Sequence, residues 1–196
     1  MVKKLTKYKI IEQFVSDYDK KYYLRELAFL LKKPHQTIKP YIEELVKQGI
    51  LLKDQRKNIV EYSLNFKNKQ IYDYLTIAEK EKLIEKLNKD TLLKVLFEKL
   101  APFFPNNTFI IFGSSVIKLE KETDIDLLVI GKSNIHKIVA EFEEIYNKKL
   151  HKVQINTLNR LNNTLTKEIY KKHIIINNTE QVIRFFGDLY EKNKLV

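Results

Sequence analysis

Two aspartates one residue apart, Asp124 and Asp126, stand at the head of an apolar run that continues Leu127-Leu128-Val129-Ile130. In a strand successive side chains alternate faces, so both carboxylates project to one side, about 7 Å apart along the backbone, with Ile125 on the other. Carboxylates that close repel and raise each other's proton affinity. A divalent cation removes the conflict, and hard Mg²⁺ (or Mn²⁺) combines carboxylate oxygens with phosphate oxygens. Upstream, Phe109-Ile110-Ile111-Phe112 has strand composition and runs into Gly113-Ser114-Ser115. Glycine permits close backbone approach, and successive N–H groups after a strand hold a phosphate. The expected site therefore joins Gly113, Ser114 and Ser115, which hold phosphate, to Asp124 and Asp126, which hold the cation.

The elements that must position these groups follow the apolar spacing. Asp90 is an N-cap for a helix carrying Leu92, Leu93, Leu96, Phe97 and Leu100, which ends before Pro102 and Pro105. After the acidic strand, residues 134–147 form an amphipathic helix with Ile135, Ile138, Val139, Phe142 and Ile145 inward. A strand around Val153, a short strand at Ile174-Ile175-Ile176 and a last helix with Val182, Ile183, Phe185 and Phe186 complete the layer.

The order Phe-Gly-Ser, spacer, Thr123-Asp124-Ile125-Asp126-Leu127 resembles the signature of the DNA polymerase β-type nucleotidyltransferase superfamily, most closely its minimal nucleotidyltransferase branch. The resemblance covers the C-terminal half. It implies that Gly113 and Ser114 contact the phosphates of a nucleoside triphosphate, that Asp124 and Asp126 hold Mg²⁺, and that a nucleoside monophosphate passes to a hydroxyl acceptor. It also implies a protein partner, since members of this branch act as the modifying half of toxin–antitoxin pairs. The sequence departs from the pattern twice. The spacer from Val116 to Leu119 lacks the second glycine, and residues 149–156 contain no Asp or Glu to serve as the third acid of active members, leaving Gln154 or Asn156 in that place. A neutral amide cannot take a proton from an attacking hydroxyl, so three readings stay open: an active transferase, a DNA-binding regulator with a degenerate transferase domain, or an antitoxin-like protein that modifies a partner.

The N-terminal third reads differently. Apolar residues at Leu5, Tyr8, Ile11, Phe14 and Val15 predict one helix, Leu24, Leu27, Ala28 and Leu31 a second, and Ile38, Tyr41, Ile42 and Leu45 a third that Gly49 closes. Pro40 lacks an N–H, so the third helix is expected to start no earlier than about Gln36. Residues 50–53 and 59–64 predict a hairpin around residues 54–58. The stretch from Tyr23 to Lys53 resembles a winged helix-turn-helix, which implies that the third helix offers Gln36, Thr37 and Lys39 to the major groove of duplex DNA. The wing then offers Lys53, Arg56 and Lys57 to phosphates. Residues 67–89 read as a lysine-rich helical linker with a break near Thr76.

Charge agrees with this division. Of the net +11, residues 1–66 carry +6, from 14 Lys/Arg against 8 Asp/Glu, which points to a polyanionic partner at that end. The absence of cysteine excludes a disulfide framework and a thiolate nucleophile. His35, His136, His151 and His173 lack metal spacing and read as ordinary surface or partly buried residues. No run reaches the ~20 apolar residues of a membrane span, and the basic N-terminus lacks the apolar core of a signal peptide, so a cytoplasmic location and no membrane partner are expected. The expected class is α+β: a winged helix-turn-helix over 1–66, the linker over 67–89, and a small mixed-sheet nucleotidyltransferase-like domain over 90–196, with a homodimer possible through the linker.

Overall fold

The structure is a computed structural model that describes residues 5–57, 59–116 and 124–195; the side chain of Arg56 lies outside the described residues. The chain divides into two compact units, Met1–Glu81 and Lys82–Val196.

In the first unit, helix α1 (Lys7–Ile11) opens on Thr6, whose hydroxyl accepts the Lys9 N–H, and tightens into a 3₁₀ turn over Glu12–Phe14. The single helix expected over residues 5–15 is therefore shorter. A two-residue strand, β1 (Tyr22–Tyr23), precedes α2 (Leu24–Leu31). The Tyr23 N–H donates to the Glu26 carboxylate at 2.8 Å, satisfying a donor that the first helical turn leaves open. Helix α3 (His35–Lys47) buries Ile38, Ile42 and Leu45. It ends at Gly49, whose φ of 68° lets the Ile50 N–H return to the Leu45 carbonyl. The helix begins at His35, close to the expected start, and Pro40 inside it leaves the Gln36 carbonyl without its helical donor.

Strands β2 (Leu51–Arg56) and β3 (Ile59–Leu64) form the hairpin. The register pairs Arg56 with Ile59, and Lys57 follows the first strand at φ 55°. The five-residue loop expected over 54–58 is thus mostly strand, because Asp54 and Gln55 pair with Glu61 and Val60. β1 adds to the open side of β3, an arrangement not read from sequence. Helix α4 (Ile71–Leu87) is continuous. The break expected near Thr76 is absent: burial of Ile71, Leu75 and Ala78 around that position outweighs the weak helix propensity of threonine.

The second unit contains the site. Helix α5 (Thr91–Leu100) starts on Asp90, whose carboxylate accepts the Leu93 N–H at 3.0 Å, and buries Leu93, Leu96 and Leu100. It leads into β4 (Asn107–Phe112), every residue of which is buried, and then a 3₁₀ turn, Gly113–Val116. Strand β5 (Ile125–Gly131), helix α6 (His136–Tyr146) and strand β6 (Leu150–Ile155) follow. On α6 Phe142 is buried, but Ile145, expected inward, is 63% exposed; Tyr146 packs on Phe142 instead, with ring centroids 5.0 Å apart. Helix α7 (Asn163–Lys171), capped by Asn162, was not expected from sequence. Strand β7 (His173–Ile175) and helix α8 (Thr179–Glu191) end the unit.

These strands form one mixed sheet in the order β6-β5-β4-β7, with β5 parallel to β6 and antiparallel to β4, and β4 antiparallel to β7. Phe109, Ile111, Leu127 and Val129 of the central strands pack against Leu93, Leu96, Leu100, Ile135 and Phe142. Placing β4 and β5 in the middle fixes the turn after one and the start of the other on a rigid apolar base. Among the described residues, no helix is long and apolar enough to cross a membrane.

Candidate functional site at the Gly113 turn and the Asp124–Asp126 pair

β4 and β5 run antiparallel with Phe112 opposite Asp126, so the end of one strand meets the beginning of the other. Gly113 takes φ 74°, a left-handed conformation that glycine adopts without strain. A Cβ at this position would stand 2.6 Å from Asp126 Oδ2. The glycine is therefore what allows the acid and the turn to approach one another. Ser114 is exposed beside it. Ser115 is turned inward and donates its hydroxyl to the Phe112 carbonyl at 3.1 Å, so its side chain holds the turn together. The spacer residues 117–123 lie outside the described residues.

Asp124 and Asp126 are both brought to His151. Its Nε2 lies 3.6 Å from Asp124 Oδ2 and its Nδ1 lies 3.7 Å from Asp126 Oδ1. The parallel register explains the meeting, since Asp126 pairs with His151 across β5 and β6. Burial raises the proton affinity of Asp126 above that of an ordinary carboxylate; the charge of His151 opposes that rise and the neighbouring Asp124 adds to it.

The structure corrects the expectation for the neighbouring strand. Gln154 does not stand beside the acids. It pairs with Val129, three residues further along, and its amide donates to the Gly131 and Ser133 carbonyls at 3.1 Å each, tying down the loop after β5. Asn156 lies past the end of β6 and lines a small polar cleft of about 250 Å³ with Asn106, Asn107, Gly131 and Asn178. The residue in the third-acid neighbourhood is His151, which the sequence pattern alone does not single out. Register decides the matter: His151 pairs with Asp126 and so shares its face.

A second missed residue is Glu168 on α7. Its Oε1 lies 3.8 Å from the position a Gly113 Cβ would occupy, on the same point that Asp126 approaches. Topology puts it there, since α7 precedes β7, and His173 of β7 pairs with Phe112 immediately before the glycine. The Asn162 cap and the Leu165, Ile169 spacing were the available signals.

Among the described residues, no three His, Asp or Glu side chains group closely enough to hold a metal ion by themselves. What the site offers is an oxygen pair, Asp124 and Asp126, with Asp126 disfavoured in its charged form. That donor set suits a hard divalent cation that completes its shell with water and substrate phosphate, the usual habit of Mg²⁺.

One comparison with known proteins falls on this part of the chain. Residues 98–181 match the family model described as Polymerase beta, Nucleotidyltransferase. The second unit thus carries a nucleotidyltransferase-type domain. Among solved structures, the chain is similar to a toxin–antitoxin crystallised with AMP-PNP, at 16% identity and a TM-score of 0.39, covering 50% of this chain and 86% of that one. It is likewise similar to the toxin–antitoxin MntA-HepT, at 15% identity and a TM-score of 0.36, covering 52% and 86%. Among curated proteins, nothing matches.

Proposed function

We propose that the second unit is a metal-dependent nucleotidyltransferase that moves a nucleoside monophosphate from a nucleoside triphosphate to a hydroxyl acceptor. Gly113 and Ser114 approach the phosphates, with Ser115 bracing the turn, and Asp124 and Asp126 hold Mg²⁺ or Mn²⁺. The observation that carries the reading is the convergence of a left-handed glycine turn and a carboxylate pair at facing strand ends, with Asp126 Oδ2 against Gly113. The acceptor oxygen bonds to the α-phosphorus as the bond to pyrophosphate breaks, and the acceptor's proton leaves to a base or water. When bound, the cation neutralises phosphate charge during this displacement. The chain's own contribution is to hold the carboxylates on β5 and the turn after β4 at a fixed separation.

The test uses an α-labelled triphosphate and Mg²⁺. Asp124→Asn with Asp126→Asn is expected to lower label transfer by at least about two orders of magnitude. Transfer that survives the double change would falsify the assignment.

We further propose that the first unit is a winged helix-turn-helix that binds duplex DNA. Gln36, Thr37 and Lys39 on α3, and Lys53 and Lys57 on the hairpin, are all exposed, and net charge is concentrated in this part of the chain. Arg56 joins them by sequence position. One observation favours a DNA-binding regulator without turnover: His151, and no carboxylate, faces the acid pair from β6. Salt-sensitive DNA binding with no label transfer under any divalent cation would select that reading.

A further inference from the structure

We propose that Lys86 binds the distal phosphates of the triphosphate held at the Gly113–Val116 turn, a role that rests on the nucleotidyl-transfer reading above. Its Nζ donates to the Val116 carbonyl at 2.6 Å, at the end of the turn opposite Gly113. The lysine leaves α4 between two leucines that are anchored. Leu83, one turn earlier on α4, lies in the same buried cluster as Val116, Leu93 and Phe109, and Leu87 packs on that cluster. A positive charge is thus held on the turn before any ligand arrives.

Charge balance gives the lysine its purpose. Asp126 and Glu168 approach the Gly113 end of the turn, Asp124 meets Asp126 at His151, and a triphosphate adds further negative charge. The turn has a single glycine, and the Ser115 hydroxyl is engaged with the Phe112 carbonyl. One divalent cation beside the acids leaves the phosphates at the other end uncompensated. An ammonium there is a point charge whose attraction for phosphate persists while it shares a donor with a carbonyl. Because Val116 closes the turn that Gly113 opens beside Asp126, Lys86 acts on the phosphates that leave as pyrophosphate and not on the reacting one. Its effect is on binding and on phosphate count.

The experiment is calorimetric titration of the full chain with inorganic tripolyphosphate, ATP, ADP and AMP in the presence of Mg²⁺, for wild type, Lys86→Met and Lys86→Arg. Lys86→Met is expected to weaken tripolyphosphate and ATP about tenfold, ADP less, and AMP not at all, while Lys86→Arg retains most of the affinity. Equal weakening of all ligands, AMP included, would show that Lys86 merely holds the turn in shape and would overturn the proposal. So would unchanged ATP affinity in Lys86→Met. Should Lys86→Met lose its cooperative thermal transition, Lys86→Gln is read in its place by the same criteria. If wild type binds neither ATP nor tripolyphosphate, the parent reading fails; if it binds them and the substitution is silent, only the lysine assignment does.

Discussion

His151 on β6 lies alongside Asp126 on β5 in parallel register, with its ring spanning from Asp126 Oδ1 at 3.7 Å to Asp124 Oδ2 at 3.6 Å. A ring that can carry positive charge thus fills the face from which the resemblance implies a third carboxylate. Replacing it by an acid should crowd three carboxylates together. His151→Asp is therefore expected to melt earlier than wild type without divalent cation and to recover more of its Tm when Mg²⁺ or Mn²⁺ is added. Equal cation-induced shifts in the two proteins would show that position 151 does not face the cation.

Asp126 makes stability depend on pH, and the sign is fixed by the direction of its shift. Burial raises its folded-state value above the ordinary one, so the folded chain holds this proton more tightly than the unfolded chain does. The cost of ionising it is absent below the ordinary carboxylate value and fully present above the raised one. Asp126→Asn should consequently raise Tm at neutral pH in cation-free buffer, with the gain vanishing as pH falls below the ordinary carboxylate range. A gain that persists unchanged in acid would assign the effect to packing.

Gly113→Ala should damage the turn and the acid together. The residue takes φ 74°, where an L side chain is strained, and the new methyl would meet Asp126 Oδ2 at 2.6 Å. The backbone strain alone is about 1–2 kcal/mol, and the carboxylate must rotate away. The expected outcome is a modest loss in denaturant midpoint with a much larger loss of label transfer. Full transfer would mean that the Asp126 rotamer is immaterial.

For the first unit, Lys53→Ala with Lys57→Ala should weaken duplex binding uniformly across sequences. Removing one lysine–phosphate pair lowers the slope of log affinity against log salt by about one. An unchanged slope would remove the hairpin from the interface.

Of the elements of the second unit that bear on the site, α5, β4 and β5 were legible because each is bounded by chemistry. Asp90 caps α5, Gly113 ends β4, and an uninterrupted apolar run follows Asp126. What could not be read was register. Nothing local distinguishes His151 from Gln154 as the neighbour of Asp126, since that depends on where β6 is laid along β5. Glu168 was hidden for the same reason: it reaches the site through the pairing of β7 with β4, a relation between segments some sixty residues apart in the chain. In the first unit, the extension of the hairpin to Arg56 was obscured by polar residues that favour turns in isolation yet pair here. Thr76 misled in the opposite sense, as its low propensity suggested an end where burial on α4 sustains the helix.

The placement of β5 between two hydrogen-bonded neighbours, with β6, among the described residues, paired on one side only, sets how this unit opens. The Ile125 N–H donates to the Lys149 carbonyl beside β6, so alternation aims the N–H groups of buried Leu128 and Ile130 at β4, and these should exchange with solvent only when the unit unfolds as a whole. Those of the outer strand are released by smaller fluctuations. The aspartate-bearing strand therefore outlasts its histidine-bearing neighbour during partial opening, and the two halves of the site part company well before the protein denatures.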